Sequence, residues 1–256
     1  NVRPRFVVLA VVAALLPATV ATAETILVLS DLQLSGSPSG QFTQPGWVAQ
    51  DVIKLSGTTS LPLTPTASGS AAGITATLVA GGNWEARGGT AEGRDLVAGT
   101  SFNYVVSDLW VTRTMSFDVV LGGLAAGSTY RMRTWHNDSY NLNQGFAAGG
   151  GTVQISATGA SIVSSTNGTV TNLRGTQTDS AFGIAAVTFV PSVANPRISL
   201  TRVGGSITAL PVNGVELAVI TVPEPVACGG AAIAGFIVLV AVGRNGRRRR
   251  RDRTPG

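Results

Sequence analysis

A short segment in the first half of the chain combines aromatic, basic and acidic side chains. Its members are Trp84, Glu85, Arg87, Arg94 and Asp95. Sugar rings stack on aromatic rings and accept hydrogen bonds from nearby polar groups, so this composition is typical of a polysaccharide-binding site, to which Trp110 and Trp135 could add. The alternative is that the tryptophans pack in the core and the charged groups pair with one another for structural reasons.

Two carboxylates of the same segment allow a second interpretation, a carbohydrate-active hydrolase. Glu85 and Asp95 could act as acid and base, but this chemistry needs a defined separation of the carboxyl groups that the sequence does not supply. The chain carries one histidine, His136, and no recognisable nucleophile elbow, phosphate loop or zinc-ligand set. We therefore expect no catalytic residues and a binding or structural role, with the hydrolase as the alternative.

A group of oxygen-bearing side chains follows His136. Asp138, Asn141 and Asn143 lie close together in the sequence, and clustered Asp and Asn oxygens are ligands that Ca²⁺ accepts. Their spacing is not that of a known calcium loop. The alternative is a turn in which these side chains bond their own backbone. We expect no cofactor, with calcium at this loop as the one candidate.

These residues must be positioned by strands, because short runs of alternating apolar and polar residues recur and long helical patterns are absent. Strands are predicted near 25–29, 74–79, 101–106, 115–121, 130–136, 152–157, 160–165, 185–190, 197–203 and 213–220. In one of them Tyr130, Met132 and Thr134 face one side and the arginines and Trp135 the other. The pattern predicts an all-β, antiparallel β-sandwich of the jelly-roll or galactose-binding-like kind over residues 24–221.

Two connections in this region have distinct sequence signatures. Leu124 to Tyr130 follows a Leu-x-x-Gly-x-x-Tyr pattern that is common between strands of extracellular β-sandwiches, so residues 115–136 are predicted to form the centre of the domain. Residues 56–72 are rich in Ser, Thr, Pro and Gly and are predicted to form a mobile loop.

The N-terminal residues 1–23 have the layout of a secretory signal peptide. Arg3 and Arg5 precede an apolar stretch over 6–16, and small residues end at Ala23, which favours cleavage before Glu24. A permanent N-terminal anchor is the alternative. We therefore expect the protein to be exported.

The C-terminal residues combine three features in order. Pro223, Glu224 and Pro225 precede an uncharged apolar run over 226–243, which as a helix reaches about 27 Å and is just long enough to span a bilayer. A basic cluster follows: Arg244, Arg247, Arg248, Arg249, Arg250 and Arg251. Such a cluster stays on the cytoplasmic side and stops transfer, so the preceding domain is expected outside. The alternatives are a buried helix with a basic tail or a nucleic-acid-binding arm.

This order resembles the PEP-CTERM sorting signal of bacterial exported proteins, over roughly residues 222–253. Pro223, Glu224 and Pro225 match the motif residue for residue, whereas Asp252 and the short tail depart from it. The resemblance implies an exosortase-type processing enzyme as partner, residence in the inner membrane during sorting, and final delivery to the cell surface or outside the cell. The alternative is a permanent single-span membrane protein that is never processed.

The charge distribution argues against a nucleic-acid partner. The whole chain has a formal net charge of +5, but residues 24–225 carry nine cationic groups and twelve carboxylates, a net charge of −3. The basic character therefore belongs to the two terminal segments. Cys228, the only cysteine, lies in the apolar run, so the exported domain must be stable without a disulfide.

Overall fold

Strands form throughout the part of the chain that the computed structural model describes: residues 22–34, 43–52, 60–66, 73–82, 84–87, 109–112, 114–137, 151–171, 183–205 and 209–221. They are β1 (Ala23–Leu34), β2 (Val48–Val52), β3 (Ser60–Leu63), β4 (Thr75–Ala80), β5 (Trp84–Arg87), β6 (Leu109–Thr112), β7 (Ser116–Gly122), β8 (Thr129–Trp135), β9 (Thr152–Thr158), β10 (Ala160–Thr166), β11 (Gly168–Thr169), β12 (Ile184–Pro191), β13 (Arg197–Val203), β14 (Leu210–Val212) and β15 (Gly214–Thr221). None of the described residues lies in a helix, which confirms the all-β class for them.

The strands form three sheets. Sheet 1 has the order β10-β12-β8-β15-β1-β2, sheet 2 the order β11-β9-β13-β7-β4-β3, and sheet 3 the order β14-β6-β5. The pairing of β1 with β2 is parallel, whereas the registered pairs of β8, β12 and β15 and those of β4, β7, β9 and β13 are antiparallel. Sheets 1 and 2 are therefore both rich in antiparallel pairs.

Apolar residues at every second position create one buried face on each large sheet. In β12 the buried apolar residues are Ala185, Val187 and Phe189, and in β7 they are Phe117, Val119 and Leu121. These side chains belong to a single hydrophobic cluster to which sheets 1 and 2 both contribute. Because full burial of a large apolar side chain contributes about 1.5–3 kcal/mol, this shared core is the main source of stability for the described residues.

The two strands predicted to be central do occupy interior positions. Strand β7 lies between β13 and β4 in sheet 2, and β8 lies between β12 and β15 in sheet 1. In the link between them, the Ala125 N–H donates a hydrogen bond to the Tyr130 hydroxyl at 2.9 Å, and the ring of Tyr130 stacks near that of Phe189. This contact is similar to the tyrosine corner of sandwich domains, and it holds the link between β7 in one sheet and β8 in the other.

Nine of the predicted strands agree with observed ones within a few residues, namely β1, β4, β7, β8, β9, β10, β12, β13 and β15. The segment predicted as a mobile loop contains β3, which pairs with β4 from Ser60 to Leu63 despite Pro62. The pairing is possible because β3 is an edge strand, where proline removes no hydrogen bond that the sheet needs. The strand predicted near 101–106 lies outside the described residues.

The predicted signal peptide, the sorting signal and its span over 226–243 also lie outside the described residues. Among the residues that the structure does describe, no helix has the length and apolar character needed to cross a membrane.

The first and last strands of the domain are neighbours, and the chain enters and leaves at the same end of sheet 1. The Leu32 N–H near the end of β1 donates to the Asn213 carbonyl just before β15. At the other end, Glu24 contacts Arg131, which pairs across the sheet with Ala218. Strands β1 and β15 therefore run antiparallel, so that Glu24 and Thr221 lie towards one end. Residues 24–221 form one compact unit.

Candidate functional site

A cluster of charged side chains lies on the side of sheet 1 that faces away from the shared core. Arg133 and Glu216 are direct cross-strand partners on β8 and β15. Arg133 holds both oxygens of this carboxylate, with Nε 2.8 Å from Oε1 and Nη2 2.6 Å from Oε2. Arg131 Nη2 donates to the same Oε1 at 3.0 Å and its Nη1 contacts Glu24. Two guanidinium groups and two carboxylates thus form a neutral network.

The Glu216 carboxylate of this network is more deeply buried than the two arginines that bind it. The Glu216 side chain is 5% exposed, whereas those of Arg131 and Arg133 are 24% and 31% exposed. A carboxylate in that position is stable only with its charge compensated, and the two arginines supply both the charge and the hydrogen bonds. Both Glu216 oxygens on β15 accept hydrogen bonds from arginines of β8, and Arg131 of β8 also contacts Glu24 of β1. The network therefore joins β1, β8 and β15.

Two tryptophans continue the cluster. The guanidinium carbon of Arg133 lies 5.6 Å from the centre of the Trp135 ring, and the Trp47 ring meets Trp135 edge-on with centroids 4.9 Å apart. This is the combination of aromatic and charged groups that suits a sugar. Trp135 is fully buried, however, so its ring has no face open to a ligand. Trp135 therefore serves packing, the structural alternative that the sequence allowed for the tryptophans.

His136 follows β8 directly and has both ring nitrogens in hydrogen bonds. Its Nδ1 is 2.7 Å from the Pro211 carbonyl, which can only accept, so Nδ1 carries the proton. Burial of the ring lowers its pKa from 6.5 to about 4, partly opposed by the hydrogen bond to Pro211. The neutral ring therefore accepts at Nε2 from the Thr134 hydroxyl, 2.8 Å away. At neutral pH this histidine is a fixed bridge between β8 and β14.

Asn137 and Asn213 form a second buried polar connection. Asn213 Oδ1 accepts from the Asn137 N–H at 2.6 Å, while Asn213 Nδ2 donates to the Asn137 carbonyl at 2.9 Å. The Thr171 hydroxyl adds bonds to the Asn137 side chain and to the His136 carbonyl. The Asn213 side chain thus bonds both the N–H and the carbonyl of Asn137, as the backbone of a neighbouring strand would. The ends of β8 and β14 and the segment after β11 are fastened together here.

The predicted polysaccharide-binding residues fall on sheet 3 and beyond it. Trp84, Glu85 and Arg87 belong to β5, whose register with β6 pairs Trp84 with Thr112 and Ala86 with Trp110. The backbone thus brings the Trp84 and Trp110 positions onto neighbouring strands. Arg94 and Asp95 lie outside the described residues, so the hydrolase alternative that uses Glu85 and Asp95 stays a prediction.

The remaining predicted sites also stay predictions. Asp138, Asn141 and Asn143, proposed as calcium ligands, lie outside the described residues, as do Pro223, Glu224, Pro225 and the arginines from Arg244 to Arg251. Within the described ranges, no group of three His, Cys, Asp or Glu side chains is arranged to hold a metal ion.

Glu216 and its pairing with the two arginines were not among the predicted site residues. A signal was present in part: Glu216 is the only charged residue of β15, and Arg131 and Arg133 alternate on β8. Alternation predicts that Arg131 and Arg133 lie on the same side of β8. It does not say that β8 and β15, more than eighty residues apart in the chain, are neighbours.

A scan of the sequence against protein-family models finds no matching family. A search of curated proteins likewise finds no match.

Proposed function

We propose that this chain is an exported, surface-sorted protein whose non-catalytic β-sandwich, of the jelly-roll or galactose-binding-like kind, has a binding or structural role in the extracellular matrix or cell envelope. The observation that carries the proposal is the position of the two domain boundaries. Glu24 and Thr221 lie towards the same end of sheet 1, on neighbouring strands. The residue that would follow signal cleavage and the residue just before the sorting signal thus lie towards one end of the described domain.

The character of the polar side chains supports the non-catalytic part of the proposal. The single histidine of the chain bridges two strands with both nitrogens, and Glu216 is held by two guanidinium groups. Asp118 on β7 contacts Arg197 and Ser199 of β13. These groups connect strands, which is a structural role of polar residues in a stable scaffold.

The delivery route can be tested on the exported protein. Intact-mass spectrometry of cell-surface and culture fractions is expected to find a chain that begins at Glu24 and lacks the arginine cluster. Glu224→Gln is expected to leave the tail attached, whereas Thr221→Ala, an exposed position just before the motif, serves as the matched control. Mature wild-type protein that still carries Arg247 to Arg251 would instead support the permanent single-span alternative.

The orientation of the tail gives a second test. Replacing Arg247 to Arg251 with Gln removes the charges that hold the C-terminus on the cytoplasmic side. Export is expected to continue, but the C-terminus should slip across the membrane or change its orientation, which protease accessibility of a C-terminal tag would report. Unchanged retention would contradict the stop-transfer role.

Polysaccharide is the ligand class that we propose for the domain. The support is the β5 and β6 register, which places Trp84 and Trp110 on adjacent strands, as a stacking surface requires. Binding to a glycan array is expected to fall in Trp84→Ala and to persist in Trp47→Ala, the control, whose ring packs on Trp135. If no glycan binds, the structural role remains. Release of reducing sugar that Glu85→Gln abolishes would favour the hydrolase alternative.

A further inference from the structure

The edge strand β10 of sheet 1 has no buried face. Residues 161–166 are all exposed, although consecutive side chains of a strand point to opposite sides. Ile162 is 40% exposed and Val163 is 64% exposed, the most of any large apolar residue among those described. Strand β10 therefore extends beyond the core, and apolar side chains at its centre are open to solvent on both sides.

One backbone edge of β10 is also open. Its inner edge pairs with β12, from Ala160 opposite Pro191 to Thr166 opposite Ala186. The register shifts between Ile162 and Ser164, which makes Val163 a bulged residue without a partner on β12. Among the described residues, none forms a hydrogen bond to the outer edge of β10. A row of backbone donors and acceptors is thus available to another strand.

The other sheet edges carry features that discourage such pairing. Strand β3 contains Pro62 and β14 contains Pro211, and proline cannot donate to a new neighbour. Strand β2 contains Asp51, and β5 contains Glu85 and Arg87. Strand β11 has only two residues. Proteins protect edge strands with prolines, charges, short lengths and β-bulges, and of these β10 has only the bulge at Val163.

The chemistry of β10 favours an identical strand as its partner. No charged residue occurs from Thr152 to Thr171, so two copies of this edge meet without charge repulsion. Val163 is the central residue of the seven in β10. When two copies pair antiparallel about this centre, Val163 faces its counterpart and Ile162 faces Ser164 of the second copy. β-branched cross-strand pairs of this kind stabilise a sheet.

We infer that β10 is a self-association site, at which two copies of this chain pair antiparallel and join their first sheets into one. The pairing uses the same surface on both copies, so it closes on itself and yields a dimer rather than a fibre. The bulge at Val163 adds twist at the centre of the strand, so the two copies are expected to pair over a short length. This inference does not depend on the delivery route or on a glycan ligand.

The test is the oligomeric state of the full-length chain in mild detergent, followed by sedimentation velocity over a range of concentrations. The wild type is expected to form dimers. Val163→Lys is expected to raise the dimer dissociation constant about tenfold or more, because it places two like charges opposite each other. The matched control is Val203→Lys, an exposed valine on β13, an interior strand of sheet 2, and it is expected to dimerise like the wild type.

Two results would overturn the inference. One is a wild type that stays monomeric at every concentration. The other is association that Val163→Lys leaves unchanged or that Val203→Lys weakens equally, since the contact would then lie elsewhere, for example in the C-terminal segment. Circular dichroism of each variant checks that it is folded.

Cross-linking provides a second measurement that does not require a charged substitution. In a Cys228→Ser background the chain has no other cysteine. Val163→Cys is then expected to form a disulfide-linked dimer under mild oxidation, because the two central residues face each other, whereas Val203→Cys is expected to stay monomeric. Absence of the Val163→Cys cross-link in folded protein would refute the antiparallel register.

Discussion

Acidification should destabilise this domain through its only histidine. The pKa of His136 is about 4 in the folded protein, lowered by burial, against 6.5 when exposed. Between these values the unfolded chain binds a proton that the folded chain does not bind. Stability contributed by the neutral ring is therefore fully present above pH 6.5, and it is lost progressively as the pH falls towards 4. Each pKa unit corresponds to about 1.36 kcal/mol, so the total loss is roughly 3 kcal/mol.

The perturbation that isolates this effect is His136→Asn. The amide can still donate to the Pro211 carbonyl, which the ring Nδ1 does in the wild type. The substitution leaves the Thr134 hydroxyl without its acceptor, so the free energy of unfolding of the variant should be about 1 kcal/mol lower than that of the wild type at neutral pH. Below pH 6.5, however, it has no ring to protonate. The stability difference between wild type and variant should therefore shrink with falling pH, and near pH 4 the variant should be the more stable.

The assay is urea unfolding of both proteins, followed by tryptophan fluorescence, at several pH values from about 7.5 to about 4. Carboxylates titrate near the lower limit in both proteins, so the informative quantity is the difference in unfolding free energy. Thr134→Val is the matched control, because it removes the hydrogen bond to Nε2 and keeps the titrating ring. A difference between wild type and His136→Asn that stays constant with pH would refute the reasoning.

Three further predictions concern stability at neutral pH and are measured by the same unfolding assay. Glu216→Gln should lower the free energy of unfolding by about 2–3 kcal/mol, because it removes a nearly buried charge between two partly exposed arginines. Arg197→Gln, at the exposed pair with Asp118, should lower it by less than about 1 kcal/mol. Equal losses in the two variants would contradict this account. Tyr130→Phe should cost about 1–3 kcal/mol, because the Ala125 N–H loses its acceptor, and an unchanged midpoint would argue against the tyrosine corner. Gly183→Ala should prevent folding or lower the free energy of unfolding by more than about 3 kcal/mol, because its Cβ would overlap the Thr169 carbonyl oxygen. Gly127→Ala has a φ of 80° and no atom within 4 Å of the new Cβ, so it should cost only about 1 kcal/mol.

The alternation of residue types was a dependable guide to local structure. On β8 it predicted that Tyr130, Met132 and Thr134 share one face, and all three are buried. It worked because a strand with one face in the core repeats every two residues. It failed at β3, where Pro62 and the surrounding Ser and Thr indicate a loop, because pairing with β4 outweighs local preference at the edge of a sheet.

The candidate polar sites were harder to predict, because they join residues that are distant in the sequence. His136 was noticed as the only histidine, and its type suggested chemistry, yet its bonds to Thr134 and Pro211 make it a fixed bridge. Nothing in the local sequence indicates that Pro211 lies beside it. Burial also set its pKa, and burial depends on what the rest of the chain places around the ring.

By itself, the sequence determined the all-β class, the faces of the principal strands and the neutral character of β10, since these depend on residue type and a two-residue period. The tertiary structure decided which strands are neighbours. Only that order brings Glu216 between Arg131 and Arg133 and places Glu24 and Thr221 at one end of sheet 1. It also leaves β10 at an edge. The physical reason is that strand pairing joins residues far apart in the chain, through backbone groups that every residue carries.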